Sequence, residues 1–391
     1  MQGESLSMNE QSVKDIFSRF ALYGDLESFK SFGKGHINST FLSTWNQAGT
    51  KVRYTHQRIN KNVFKEPEKV IENIRAVTHH IYEKARLQKD DPFGASRRTL
   101  TLVPAKDGRF YYKDDEGEYW RTYLFIENAS TFELMDNPVL AYKVGCAVGT
   151  FQKQLADYEG PPLHETIPAF HNMKSRYVQL DTAASSDKAG RLDSVREEFD
   201  FLQKNRERGM LLTDGLESGK LKKGITHNDT KLNNVLFDDA TGEAICLIDL
   251  DTVMPGTVLF DTGDLIRTAT NTGAEDERDL SKVGFNADLF RALIDGYTEK
   301  AADFLTDYEK SLIAESGRIL TQIMAVRFLT DYLNGDVYYK IERPSHNLDR
   351  ARTQIKLMQS MDDQWELIQN IVHDLCRKNT AASAVSGTAK S

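Results

Sequence analysis

The chain has 391 residues, enough for two or three packed units, and its 40% apolar and 28% charged residues suit a globular protein with a substantial core. Fifty basic against 58 acidic side chains leave a net charge of −8, which argues against a dedicated nucleic-acid or anionic-membrane binder, since both need a positive footprint. Cys146, Cys246 and Cys376 are far apart and form no C-x-x-C pair, so neither a disulfide framework nor a zinc cluster is expected.

In chain order, Met1 to Asn9 are polar and carry no apolar leader core, and no stretch approaches the length of a membrane span. A reducing cytoplasm is the expected compartment; neither membrane nor nucleic acid is an expected partner, and nothing requires an oligomer. A weak helical pattern runs from Ser12 to Phe20. Gly33 and Gly35 form a turn leading into a strand-like segment, and Val52 to Ile59 reads as a second strand. Pro67 opens a helix with Val70, Ile71, Ile74 and Val77 on one stripe. Arg109–Lys113 and Tyr119–Phe125 read as strands joined by the acidic turn Asp114–Glu118.

After Ile126 the pattern turns helical. Val144, Val148, Phe151 and Leu155 share a face, and Val195–Met210 reads as one helix. Val235–Phe237 and Ala244–Ile248 are short strands about the turn Asp238–Glu243. Helices dominate from Asp288 to Cys376, and the Ala/Ser/Thr/Gly-rich tail predicts disorder. The expected fold class is α+β: a bilobal, protein-kinase-like arrangement of a small antiparallel sheet lobe with one main helix (1–126), a larger helical lobe (127–378) and a disordered tail (379–391). A nucleotide would be expected between the lobes.

The chemistry concentrates in His227-Asn228-Asp229-Thr230-Lys231-Leu232-Asn233-Asn234, followed by Ile248-Asp249-Leu250-Asp251. The first run fits the spacing H-x-D-x-K-x-x-N of a kinase catalytic loop. Phosphoryl transfer needs a carboxylate to orient the attacking hydroxyl, metal ligands, and cations over the phosphates. Asp229 is the candidate base, Lys231 the candidate cation, and Asn234 and Asp249 the candidate Mg²⁺ ligands through hard oxygen atoms. His227 is read as a brace. Asp251 falls on the face of Asp249 if the strand continues, and either binds metal or stabilises the loop. The run Asp261–Arg267 adds two acids and an Arg. In the first lobe, Gly33 and Gly35 would let backbone approach the phosphates of ATP, though Gly-Lys-Gly lacks the full Walker pattern. Arg58 stands where kinases place a Lys; Glu72 is its expected helical partner and Glu68 the second choice.

Thr226–Asn234 and Ile248–Gly256 resemble the N-acetylhexosamine 1-kinases, of the wider aminoglycoside and choline phosphotransferase group. Gly35-His36-Ile37-Asn38 with Gln57-Arg58-Ile59-Asn60 supports the match, as does the run from Arg327 through Tyr338 to Arg350. The resemblance spans about Gly33 to Gln359. It implies ATP- and Mg²⁺-dependent phosphorylation of the anomeric hydroxyl of an N-acetylhexosamine, with Asp229 as the catalytic Asp and His36, Arg327 and Tyr338 in contact with the sugar. One departure stands out: members of the family often carry Phe after the Gly-Asp-x-Ile-Arg segment, and this chain has Thr268.

Read without the resemblance, Arg327 would pair with Asp331 on its own helix and Tyr338 would be core. Two other functions compete. A phosphotransferase acting on choline, an amino alcohol or an aminoglycoside would favour an acidic or aromatic acceptor pocket. A non-catalytic nucleotide-binding scaffold would not need the full set Asp229, Lys231, Asn234 and Asp249.

Overall fold

The computed structural model describes residues 9–33, 37–88, 91 and 93–388. The chain folds as two compact units. The first comprises Met1–Ala129, Glu159–Ile167 and Leu250–Val253; the second comprises Ser130–Tyr158, Pro168–Asp249 and Met254–Ser391. The mixed α+β class read from the sequence is the observed one.

The first unit is built on an antiparallel sheet of β1 (Asp25–Ser31), β2 (Ser39–Gln47), β3 (Thr50–Arg58), β4 (Thr101–Val103), β5 (Tyr112–Lys113) and β6 (Tyr119–Leu124), in the order β1-β2-β3-β6-β4 with β5 also on β6. Register between β2 and β3 runs from Ser39 opposite Arg58 to Gln47 opposite Thr50. The two residues left for the turn, Ala48 and Gly49, both have positive φ (51° and 92°), the geometry whose twist matches paired strands. The expected strand Arg109–Lys113 is reduced to Tyr112–Lys113, because Arg109 belongs to a tight turn: its carbonyl accepts the Ala105 N–H and its side chain grips Asp107.

The helix Glu10–Phe17 packs on the sheet through Val13, Ile16 and Phe17, meeting Phe20, Trp45, Tyr54 and Trp120. His56 lies in this apolar layer, stacked on Phe17 with ring centroids 3.7 Å apart and bonded to Ser43 Oγ and Thr122 Oγ1. The main helix, Pro67–Ala85, starts with Pro at its first turn, where a missing N–H costs nothing, and buries Val70, Ile71, Ile74, Val77 and Ile81. One polar residue interrupts that stripe. Asn73 donates to the carbonyls of His164 and Val253 and accepts the His164 N–H. That single amide ties both distant segments of the unit to the helix.

In the second unit, helix Pro138–Leu155 lies against Ala287–Ala301 at close range. A Cβ on Gly145 would meet the Leu293 carbonyl at 2.1 Å and one on Gly296 the Tyr142 carbonyl at 2.0 Å, so both positions need glycine. Helix Ile313–Leu333 is buried around most of its circumference and packs on Met173–Ser186, Val258–Thr270 and His346–Asp363. The expected single helix Val195–Met210 breaks at Asn205 into Arg196–Lys204 and Arg206–Gly209. Tertiary bonds explain the break: Asn205 accepts Arg318 Nη2 at its side chain and Gln322 Nε2 at its carbonyl. The last helix, Trp365–Thr388, continues through a stretch whose composition predicts disorder. Asn379, where that stretch begins, is bonded to Thr298 Oγ1 and Asp295. No described helix is long and apolar enough to cross a membrane.

Candidate active site

The strand Gly224–Thr226 delivers the chain to His227, and the hairpin Val235–Asp238 with Ala244–Leu247 carries it on to Asp249. Between them the loop turns sharply, with Asn228 at φ 65°, a left-handed conformation that Asn tolerates better than most residues. Helix Val258–Thr270 holds that turn. The Asp261 carboxylate accepts the backbone N–H of Asn228 at 2.7 Å and of His227 at 3.0 Å, while its carbonyl accepts Thr230 Oγ1 at 2.7 Å. One turn later Asp264 accepts the Thr230 N–H and is itself gripped by Arg267. Gln152 donates to Asp261 and accepts from the buried Tyr297 hydroxyl.

Held this way, the loop presents a compact polar cluster. Asp229 Oδ2 accepts Lys231 Nζ at 2.8 Å and Asn234 Nδ2 at 2.9 Å. Burial pushes the Asp229 carboxyl up, but the Lys231 ammonium, the neighbouring His227 and the Asn234 bond outweigh it, so its pKa lies below the ordinary 3.8. Burial pulls Lys231 down, and Asp229, Asp249 and Asp264 together raise it, so it is a fixed cation. His227 Nε2 bonds the Ile248 carbonyl at 2.9 Å, bracing the residue before Asp249. Asp249 itself is exposed and sits at φ 60°.

The donor set fits a magnesium ion. Asn234 spends its Nδ2 on Asp229, which leaves Oδ1 as its ligand atom, and Asp249 is an exposed carboxylate; both are hard oxygen donors. Among the described residues no group of three or more His, Cys, Asp or Glu could hold a metal by itself. A site of this kind relies on substrate phosphates to complete the shell.

The other expected residues fall as follows. Gly33 is at φ 80°, with open space where a side chain would stand. Gly35 and His36 lie outside the described residues. Arg58 donates to Ser39 Oγ at 3.3 Å. Of the two acids expected opposite Arg58, Glu72 accepts His164 Nε2 at 2.7 Å, and Glu68 accepts the hydroxyls of Tyr111 and Tyr119. The segment Glu159–Ile167, which brings His164 to Glu72, has no local signature that would have announced it. Asp251, read as either a metal ligand or a brace for the loop, has its carboxylate engaged within the protein. It is buried, paired with Arg121 and bonded to Asn38.

Arg327 does not pair with Asp331, whose carboxylate is taken by the N–H groups of Val337, Tyr338 and Tyr339 and by Asn347. Instead the guanidinium faces the rings of Phe170 (5.0 Å), Tyr339 (5.5 Å) and Tyr338 (5.9 Å). Tyr338 is 61% exposed, so it is not core. Next to Arg327 lies Arg176, lowered to about 10 by burial and by its cationic neighbour. His171 is fully enclosed by Phe170 and Phe260, close to the Asn228 backbone, and burial with Arg327 and Arg176 nearby keeps its ring neutral. Thr268 turns its hydroxyl back onto the Asp264 carbonyl. Phe170, His171 and Arg176 went unseen in the sequence, because Ile167–Arg176 has neither periodicity nor motif.

The profile of a family described as "Phosphotransferase enzyme family" matches residues 28–302. Among solved structures, a microcompartment-associated aminopropanol kinase is 14% identical, with a TM-score of 0.55 over 91% of this chain and 98% of that one. A choline kinase from Cryptosporidium parvum Iowa II is 12% identical, with a TM-score of 0.56 over 88% and 91%. A spectinomycin phosphotransferase, solved with ADP and spectinomycin, is 12% identical, with a TM-score of 0.54 over 88% and 96%. At such identities these structures speak for the fold alone: a sheet-bearing N-terminal region and a helical C-terminal region of protein-kinase type.

Proposed function

From the premise that this chain belongs to the phosphotransferase enzyme family, whose profile covers most of its length, we propose that it is an ATP- and Mg²⁺-dependent kinase acting on the anomeric hydroxyl of an N-acetylhexosamine. The observation that carries the reading is the Asp229 carboxylate, fixed by Lys231 at 2.8 Å and by Asn234 at 2.9 Å. Asn234 and Asp249 would hold a magnesium ion, which would supply positive charge to offset that of the nucleotide phosphates. Asp229 would orient the acceptor hydroxyl and take its proton. A hemiacetal hydroxyl is more acidic than an ordinary sugar alcohol, so a carboxylate held below its usual pKa is basic enough when positioning does most of the work. Lys231 would offset charge on the moving phosphoryl group. In the first unit, Gly33, Gly35 and Arg58 would be the residues that meet the nucleotide, while Glu72 is bonded to His164.

The acceptor side favours a neutral sugar over choline, an amino alcohol or an aminoglycoside. Cationic acceptors want open aromatic faces or carboxylates. Here the aromatic group Phe170, Tyr338 and Tyr339 already surrounds a guanidinium, and Arg176 adds a second positive charge. Arg327 has donors for sugar hydroxyls or an acetamide oxygen, Tyr338 offers a flat face with a polar tip, and His36 would join them. With Thr268 in place of an aromatic residue, the pocket has one ring fewer to lean on the sugar.

Phosphorus NMR of reactions with ATP, magnesium and a panel of acceptors tests this. An anomeric phosphate formed from N-acetylglucosamine or N-acetylgalactosamine is the expected result. Turnover of choline, an amino alcohol or an aminoglycoside in its place would move the chain to that branch, and nucleotide binding with no acceptor turned over would leave a scaffold.

A further inference from the structure

Asp251 was legible as a second acid behind Asp249, and the structure engages both of its carboxylate oxygens within the first unit. Its side chain is 5% exposed and forms an ion pair with Arg121, which is 1% exposed on β6. Its other oxygen accepts Asn38 Nδ2 at 2.6 Å. Asn38 stands at the entry to β2, and its side-chain Oδ1 accepts the Asn60 N–H at 3.0 Å beyond β3. Arg121 also gives two bonds to Gln57 Oε1 on β3. These contacts all lie within the first unit, which the chain rejoins at Leu250–Val253 immediately after Asp249.

Asp249 sits at φ 60°, a left-handed backbone that a non-glycine residue keeps only when its surroundings hold it there. It is held on both flanks. Before it, His227 fixes the Ile248 carbonyl; after it, Arg121 and Asn38 fix Asp251, and Asn73 fixes the Val253 carbonyl.

We propose that Asp251 is a positioning residue for nucleotide binding: gripped by Arg121 and Asn38, it locks the backbone that follows and steadies Asp249. The inference rests on the phosphoryl-transfer reading of Asp249 and deepens it. A buried ion pair is weak evidence for stability as such, because desolvation offsets the Coulombic gain; specifying one backbone arrangement is the use this placement serves.

The test uses the full chain with Asn38→Ala, Asp251→Asn and Arg121→Lys. Steady-state kinetics give separate KM values for ATP and acceptor, calorimetry gives ADP affinity with magnesium and with a chelator, and amide exchange reports residues 249–253 in the absence of ligand. ADP affinity in magnesium should fall about tenfold or more, as when outer-shell partners of metal ligands are removed. The KM for acceptor should stay unchanged, the gap from wild type should close in chelator, and exchange at 249–253 should quicken. Asn38→Ala leaves the buried ion pair intact, so it decides the matter if Asp251→Asn fails to fold. A lower melting temperature with unchanged ADP affinity in Asn38→Ala would overturn the inference and leave the cluster purely structural. A wild-type chain that binds no ADP would instead overturn the phosphoryl-transfer reading beneath it.

Discussion

Asp261 Oδ1 accepts the backbone N–H of Asn228 at 2.7 Å. Asn228 is the residue whose φ of 65° bends the catalytic loop, so a carboxylate one helix away holds the turn that presents Asp229. Replacing Asp261 by Asn puts an amide where two N–H groups expect an acceptor. Hydrogen bonds to charged groups are worth about 1.5–3 kcal/mol each, and an unmatched buried donor costs about as much. Asp261→Asn should therefore lose about 2–4 kcal/mol in urea denaturation and lower kcat more than either KM. Unchanged kcat in a folded variant would show that the loop keeps its shape without this anchor.

Asp229→Asn should cut turnover by about two to four orders of magnitude, the range for a positioned general base. Asn is nearly isosteric and can still accept from Lys231 and Asn234. ADP affinity, measured by calorimetry, should change little. Near-normal turnover would remove Asp229 from the role of base.

The pH dependence follows from the same cluster. Lys231, His227 and Asn234 overcome the effect of burial and hold Asp229 below 3.8. A depressed carboxyl is ionised at every pH above that value, so kcat/KM should show no loss from Asp229 protonation between pH 8 and about 5. The sign for stability is the same: the contribution is present above the unfolded pKa and lost as pH falls through the folded one. An acid limb centred between pH 5 and 7 that vanishes in Asp229→Asn would mean a base with a raised pKa.

How much of this was readable beforehand depended on whether the information was local. The loop His227–Asn234 and the strand before Asp249 are contiguous, and the fold keeps them in sequence order, so their grouping was visible. The main helix was visible for the same reason: Pro67 and the stripe from Val70 to Val77 are short-range patterns. Asp261 was visible only as one acid in a run. Its importance comes from bonds to residues more than thirty positions away, which no spacing rule contains. The pairing of Glu72 with His164 failed to show for that reason, as did the group of Phe170, Arg176 and Arg327. The break at Asn205 was hidden because the local pattern does favour a continuous helix there, and Arg318 with Gln322 overrides it. The helix Trp365–Thr388 runs into the stretch from 379 whose composition suggested disorder, and Asn379 at its start is bonded to Asp295 and Thr298 of the helix Ala287–Ala301.

His56 makes stability depend on pH in the first unit. Burial lowers its pKa from 6.5 to about 3. The unfolded chain takes up a proton below 6.5 while the folded one refuses it until about 3. Stability is therefore complete above pH 6.5 and declines as pH falls through that window. At 1.36 kcal/mol per unit, moving from pH 7 to pH 5 should cost on the order of 2 kcal/mol from this group. Urea midpoints at the two pH values measure the slope, and His56→Gln, which does not titrate, should flatten it. An equally steep slope in that variant would place the titration elsewhere.

Arg327 separates the acceptor readings. Its guanidinium lies among Phe170, Tyr338 and Tyr339 with no carboxylate partner among the described residues, beside the half-buried Arg176. If it donates to sugar oxygens, Arg327→Lys keeps the charge but loses the planar fork, and Arg327→Ala loses both. KM for the N-acetylhexosamine should then rise about tenfold or more in Arg327→Lys and further in Arg327→Ala, at about 1.4 kcal/mol per tenfold, while KM for ATP holds. The same change frees three aromatic faces and removes a repelling charge, so any weak use of choline should improve in Arg327→Ala rather than worsen. A parallel loss with both acceptors would mean that Arg327 supports the pocket wall and does not touch the acceptor, and the preference for a neutral sugar would lose its physical basis.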